Sequence, residues 1–195
     1  HRGSTWHIWD FHLHTPYSHL HNLFGDPNDQ DTWDSYIDHI EEKSSELGVV
    51  AIGITDYFSI DGYKRVLQYQ NDGRLEGLFL FPNIEFRVDK VIYRSRDNRN
   101  PRRLNFHVLF SPKEVTPELI EEHFLHDLDF VYENEPFQSP NTRKLKMSNL
   151  EEFGENLRQQ HESFQSQSAL EIGCKNAIVR VDDIKKILDG DKRFS

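Results

Sequence analysis

Cysteine is almost absent from this chain of 195 residues, in which Cys174 is the only example. A single cysteine excludes an intrachain disulfide and a zinc site made of several thiolates, and it is typical of the reducing cytoplasm. Long apolar runs are absent as well: no stretch approaches the roughly 20 residues of a membrane span, and no apolar signal segment opens the sequence. We therefore expect a cytoplasmic protein with no membrane partner.

Basic residues are outnumbered, with 23 against 33 acidic residues and a formal net charge of −10. This balance argues against non-specific coating of DNA by the whole surface, although it allows a local basic patch. Aromatic residues make up 12% of the chain, a content that disordered chains lack. We expect a single folded domain over 1–195, with metal motifs within 6–111 and a helical part over 112–195.

Hydrophobic periodicity predicts alternating strands and helices. Residues 6–14 alternate and predict a strand with Asp10, His12 and His14 on one face. Residues 49–55 form an apolar run typical of a buried parallel strand, and Pro82 predicts a bulge or break in a strand over 78–86. A helix over 32–47 would begin at Thr32 and end at Gly48. The other predicted elements are a strand over 104–110 and helices over 61–70, 116–125, 149–164 and 181–188. This order favours an α/β domain with a parallel sheet or barrel.

Histidines and carboxylates recur where the predicted strands end, which is where functional residues of α/β domains collect. The pair His12 and His14, two residues apart on a strand, lets both imidazoles reach one cation. The alternative is a set of hydrogen-bonded core or surface histidines. The further residues that would join this pair in a metal site are Asp10, His19 or His21, Asp56, Glu85 and His107.

Four segments resemble, in order, the motifs of the PHP family, the polymerase and histidinol phosphatase superfamily. They are DFHLHTPYS at 10–18, AIGITDY at 51–57, PNIE at 82–85 and NFHVLF at 105–110. The resemblance implies a distorted (β/α)7 barrel, incomplete in this chain, with two or more divalent Mn, Zn or Fe ions. It also implies metal-dependent hydrolysis of phosphoesters.

The resemblance implies a role for each candidate residue. His12 and His14 would hold one ion, Glu85 would bridge, and His107 would hold a second ion. Asp10 would orient a histidine, and Asp56 would ligate or orient, so that Asp10, Asp56 and Glu85 form the candidate catalytic set. The sequence departs from the family at Tyr57, where most members have a metal-binding histidine, and in lacking a final Asp-x-His motif.

A closer resemblance covers RGSTWHIWD at 2–10, FGD at 24–26 and TDYFSIDGY at 55–63. These segments are similar to the N-terminal PHP domain of TrlF-type bacterial proteins, in which it precedes an SMC-like, AAA-type ATPase. Members are associated with antiphage defence or DNA repair. The resemblance implies that this chain is part of a longer protein, and that its partners are the ATPase domain or further copies in a homo-oligomer.

A basic segment over 87–103 inverts the charge of the chain, with seven basic and two acidic residues. Arginine-rich segments bind phosphates with little sequence preference, so DNA or RNA is the expected partner; the alternative is a solvated hairpin that pairs with acidic neighbours. The candidate nucleic-acid-binding residues are Arg94, Arg96, Arg99, Arg102 and Arg103. The sequence thus predicts a metal-dependent nuclease. The alternative is a catalytically reduced PHP scaffold for nucleic-acid binding or assembly.

Overall fold

The chain folds as a mixed α/β protein with a seven-stranded sheet flanked by helices, in a computed structural model that describes residues 6–20, 23–92, 102–132 and 141–194. The strands are β1 (Ile8–His14), β2 (Val49–Tyr57), β3 (Phe79–Ile92), β4 (Arg102–Leu109), β5 (Asp129–Tyr132), β6 (Asn141–Lys144) and β7 (Ile178–Val179). The helices are α1 (Gln30–Leu47), α2 (Asp61–Asn71), α3 (Pro117–Ile120), α4 (Met147–Gln160), α5 (Ala169–Asn176) and α6 (Val181–Gly190). The strand order is β1-β2-β3-β7-β5-β6, with β4 paired to β3.

The chain divides into two compact units, and the division falls inside β3. The first unit comprises His1–Ile84 and Val108–Pro117, and the second comprises Glu85–His107 and Glu118–Ser195. Since β3 is one continuous strand, Glu85 follows directly on the last strand residues of the first unit. The side-chain amide of Asn83 in that strand donates to the backbone carbonyl of Phe11 over 2.6 Å, which ties β3 to β1.

Strand β1 runs parallel to β2 with one extra residue between Asp10 and Leu13. Asp10 pairs with Ile52 and Leu13 with Ile54, so that three steps along β1 match two along β2. Because side chains alternate along a strand, this bulge places Asp10 and Leu13 on the same side of the sheet. His14 pairs with Thr55 and therefore faces the opposite side. The predicted common face for Asp10, His12 and His14 is wrong for this reason.

Helix α1 begins two residues before the predicted start. Its N-cap is Asp29, whose carboxylate accepts from the backbone N–H of Asp31, so the prediction of Thr32 as the cap is wrong. The helix ends as predicted at Gly48, which adopts a left-handed φ of 70° that few other residues tolerate. Its buried face carries Trp33 and Ile37, among others, against the first unit's core.

The part of the chain after residue 112 contains strands that the sequence analysis did not predict. Strand β5 pairs antiparallel with both β6 and β7, and these strands have two to four residues. Runs this short show no alternation, so periodicity cannot detect them. Of the predicted bulge or break at Pro82, the break is wrong. Strand β3 continues through Pro82, and the backbone carbonyl of Pro82 accepts from the N–H of Phe110 over 3.0 Å.

The described residues contain neither a reactive thiol nor a helix suited to a bilayer. Cys174 is fully buried in α5, and this burial raises the pKa of its thiol to about 12. The thiolate that would act as a nucleophile is therefore not formed at neutral pH. In the parts of the chain that the structure describes, no helix has both the length and the apolar character that a membrane span requires.

Candidate metal centre

The end of β1 brings two imidazole nitrogens together. The Nε2 atoms of His12 and His14 lie 3.2 Å apart, with the His12 ring exposed and the His14 ring half-buried. Two nitrogens that share one tetrahedral zinc ion at about 2.0–2.1 Å lie about 3.3 Å from each other. The spacing of this pair fits two ligands of one cation, and it also fits a hydrogen bond between the two rings.

The orientation of His14 is set by Ser18, four residues further along. The Ser18 hydroxyl donates its proton to the carbonyl of Leu20 over 2.7 Å. Its oxygen lies 3.1 Å from Nδ1 of His14. Because the only proton of the hydroxyl is donated to Leu20, this oxygen accepts a hydrogen bond from Nδ1. Nδ1 of His14 therefore carries the proton and Nε2 carries the lone pair, which is the tautomer a metal ligand needs.

Two tyrosines contact His14, one at its ring and one at its backbone. The buried ring of Tyr57 stacks on His14 with centroids 5.5 Å apart and planes 12° from parallel. The hydroxyl of Tyr36, on α1, donates to the carbonyl of His14 over 2.9 Å. Burial and the nearby carboxylates of Asp56 and Asp10 keep the pKa of Tyr36 well above its usual value, so it remains a donor.

Glu85 supplies a carboxylate to the same place. It is fully buried on β3, and its Oε1 accepts from the amide of Asn105 over 2.6 Å. One of its oxygens and one nitrogen each of His12 and His14 all lie within 4.8 Å of one another. A buried carboxylate is costly unless it is hydrogen-bonded or bound to a cation. A group of two imidazoles and one such carboxylate has the chemistry of a divalent-metal site.

His107 lies next to Glu85 on the paired strand β4. Its Nε2 is 3.8 Å from Oε1 of Glu85, and its ring is half-buried. His107 does not belong to the compact group formed by His12, His14 and Glu85. Its role as the ligand of a second ion stays a prediction.

Asp56 is hydrogen-bonded to the residue that follows His14. Its two carboxylate oxygens accept from Thr15, one from the backbone N–H over 3.2 Å and one from the hydroxyl over 2.8 Å. Complete burial raises the pKa of Asp56 to about 7, and this desolvation outweighs the opposing hydrogen bonds from Thr15 and the nearby His14. Of the two predicted roles, to ligate or to orient, these contacts support the second.

Two candidate ligands lie elsewhere. Asp10 lines a groove with Leu13 and Ile40 of α1, and its Oδ1 accepts from the backbone N–H of His12 over 3.0 Å. The bulge in β1 turns it away from the side that carries the imidazoles. His19 lies in a cleft beside α2 instead of in the compact group of ligands. Burial lowers the pKa of His19, against the charge of Asp61 that raises it.

The remaining predictions fall mainly on residues outside the described ones: His21, Arg94, Arg96 and Arg99. The choice between His19 and His21 as a ligand therefore stays open. Arg102 and Arg103 are described and lie exposed at the start of β4. Their binding to nucleic acid stays a prediction.

Sequence reasoning did not single out Ser18 or Asn105 as part of this site. Asn105 precedes His107 by two residues, and strand alternation puts both on one face of β4, so this signal was available. Ser18 stands in a loop, where no periodicity indicates direction. Only the fold shows that its hydroxyl reaches His14.

Replacing Ser18 with alanine is expected to weaken metal binding by about tenfold or more, because Nδ1 of His14 loses its acceptor. Titration of the metal-free protein with Zn²⁺ or Mn²⁺, followed by calorimetry, measures the affinity. Ser45→Ala, an exposed position on α1, is the matched control and should bind as the wild type does. Equal affinity of Ser18→Ala and the wild type would contradict the orienting role of Ser18.

The fold and the site together define a mixed α/β protein with a candidate His/His/Glu metal centre, formed at the end of β1 and the middle of β3. Comparison with known proteins adds no family: no family model, no curated protein and no solved structure matches this chain. The function therefore has to be argued from the geometry and chemistry of the site.

Proposed function

We propose that this chain is a metal-dependent phosphoesterase that acts as a nuclease on DNA or RNA phosphodiesters. The observation that carries the proposal is the convergence of His12, His14 and Glu85, whose ligand atoms lie within 4.8 Å of one another. These residues occupy two of the four segments that resemble PHP motifs, 10–18 and 82–85. The proposal therefore includes a PHP-type barrel as the finer description of the α/β fold.

The donor set fits Mn, Zn or Fe, since imidazole and carboxylate ligands suit these ions. His12 and His14 would hold one ion, and Glu85 would bridge to a second ion within reach of His107. A bound divalent cation lowers the pKa of water and neutralises charge on phosphoryl oxygens. The protein's own contribution is orientation: Ser18 fixes the His14 tautomer, and Asn105 holds the carboxylate of Glu85.

The substrate class follows from the charge of β4. This strand begins with the exposed Arg102 and Arg103 and continues to Asn105 and His107 at the candidate site. Arginine side chains bind phosphates in a chain without reading its sequence. A polymeric phosphodiester, which offers several phosphates in a row, suits this arrangement better than a small monoester. We place this activity in the cytoplasm, in a longer antiphage-defence or DNA-repair protein with an SMC-like ATPase.

A second candidate function is a catalytically reduced PHP scaffold that binds nucleic acid or mediates assembly. The observation that favours it is Tyr57, which stands where most PHP members have a metal-binding histidine. Its buried ring packs flat against His14. A protonated phenol is a weak ligand, so the site would hold fewer ions than usual. Metal content and cleavage, measured on the same sample, separate the two functions.

The test compares metal content and cleavage in the wild type, His14→Ala and a control, His39→Ala. His39 is an exposed histidine of α1, bonded through Nδ1 to the carbonyl of Ser35. The wild type should hold at least one Mn, Zn or Fe ion per chain and cleave DNA or RNA. His14→Ala should bind the ion at least about 100-fold more weakly and lose cleavage, whereas His39→Ala should keep both.

Two outcomes would contradict the nuclease. A wild-type chain that holds no ion after reconstitution with Mn²⁺ or Zn²⁺ would rule out the metal centre. A metal-loaded chain that cleaves neither DNA nor RNA would leave the scaffold as the better account. Elemental analysis and a gel assay with labelled single- and double-stranded substrates give both readouts.

A further inference from the structure

A polar cavity of about 450 Å³ lies beside α2, and neither His12 nor His14 lines it. Residues from the loop after β1 and from the start of α2 line it. They include Tyr17, His19, Ser59, Asp61, Lys64 and Arg65. All of them belong to the first unit. The function proposed above uses none of these side chains.

The cations of this cleft outnumber its acids. Nζ of Lys64 lies 3.8 Å from Oδ1 of Asp61, and the Ser59 hydroxyl donates to Oδ2 of the same carboxylate over 3.0 Å. Arg65 donates only to neutral amide oxygens, those of Gln68 and Gln30, and it forms no ion pair among the described residues. The side chains of the lining therefore carry a net positive charge at neutral pH, within a chain of net charge −10. Such a site attracts an anion.

Two further polar groups of the lining have no hydrogen-bond partner in the described parts of the chain. They are the hydroxyl of Tyr17, whose ring is fixed 4.9 Å from that of Trp33, and the half-buried imidazole of His19. Both can donate a hydrogen bond. Two cations and two neutral donors around one cavity form a set that matches the several acceptor oxygens of a phosphate group.

The loop 15–20 connects this cleft with the metal centre. Ser18 turns inward and holds His14, while its neighbours Tyr17 and His19 line the cleft. We propose that the cleft binds a phosphate group of the substrate strand, next to the phosphodiester that is cleaved. This inference rests on the proposed nuclease function and adds a binding subsite to it.

The test measures binding of a labelled single-stranded oligonucleotide to the full chain in EDTA, so that neither metal binding nor cleavage contributes. Lys64→Ala should weaken binding roughly three- to tenfold and reduce the slope of log affinity against log salt by about 1. Tyr17→Phe keeps the ring against Trp33 and should weaken binding about threefold through loss of one hydrogen bond. Lys43→Ala is the matched control, because Lys43 pairs with Glu46 at the same helical spacing on α1, outside the cleft.

Unchanged binding by Lys64→Ala, or a loss equal to that of Lys43→Ala, would overturn the inference. So would a wild type that fails to bind the oligonucleotide in EDTA. Competition with inorganic phosphate distinguishes the source of the ligand. If Lys64→Ala and Tyr17→Phe bind the oligonucleotide as the wild type does and lose only the competition by phosphate, the cleft binds free phosphate. The assignment to the substrate strand is then wrong. Metal content of the same proteins is measured separately, so failure of the metal centre is recognised independently.

Discussion

Replacing Gly173 with alanine is expected to lower the free energy of unfolding by about 3 kcal/mol. An added Cβ at Gly173 would lie 1.9 Å from the backbone carbonyl oxygen of Leu150 in α4, and backbone cannot rotate away as a side chain can. Opposite it, a Cβ at Gly154 would lie 1.7 Å from the carbonyl oxygen of Ala169. The two helices must therefore separate, and overpacking of this kind exceeds the gain in helix propensity of up to about 1 kcal/mol.

Thermal and urea unfolding monitored by circular dichroism measure this effect, which corresponds to a fall in Tm of roughly 6–12 °C. Gly190→Ala is the control, because nothing lies within 4 Å of a Cβ at that position of α6. It should leave the stability unchanged or raise it slightly. If Gly173→Ala and Gly190→Ala unfold alike, the close approach of α4 and α5 does not exist in solution.

The stability of the metal-free protein is expected to depend on the protonation of Asp56. Burial raises the pKa of its carboxyl from 3.8 to about 7 in the folded state. The stability that this proton contributes is fully present below about pH 4, where both states are protonated. It is lost as the pH rises towards 7, because the unfolded chain ionises freely and the buried group does not. The whole loss is on the order of 4 kcal/mol.

Asp56→Asn isolates this contribution, because asparagine does not ionise. Urea unfolding of both proteins in EDTA, between pH 5 and pH 8, gives the difference in their free energies of unfolding. The wild type should lose about 2 kcal/mol relative to the variant between pH 5 and 7, and the difference should level off above pH 7. A difference that stays constant over this range would show that Asp56 is ionised throughout.

The sequence was sufficient to predict the first half of the fold, where long elements carry strong patterns. The apolar run of β2 and the amphipathic pattern of α1 are both visible in the sequence. The predicted closeness of His12 to His14 and of Glu85 to His107 agrees with the distances in the structure. The first pair follows from the alternation of side chains at the end of one strand. The second pair lies on the paired strands β3 and β4, with Glu85 in the middle of β3 and not at its predicted end.

The sequence could not predict those side-chain directions that depend on one extra residue in a strand or on the path of a loop. Asp10 shares its parity with His12, and only the pairing with β2 reveals the extra residue that separates them. His19 stands one position from Ser18, yet the loop sends the two side chains to different places. The strands β5 to β7 are fixed by pairing with one another, which is a long-range interaction that local propensity does not record.

The extra residue between Asp10 and Leu13 inverts the alternation of side chains along β1. Before the extra residue, the alternation directs the side chain of Asp10 into the groove under α1. After it, the alternation is inverted, and His14 faces the opposite side. Insertion or deletion of one residue between positions 10 and 13 would cancel or double this shift, and every side chain on one flank would change sides. This short segment should therefore tolerate exchanges of residue type far better than any change of length.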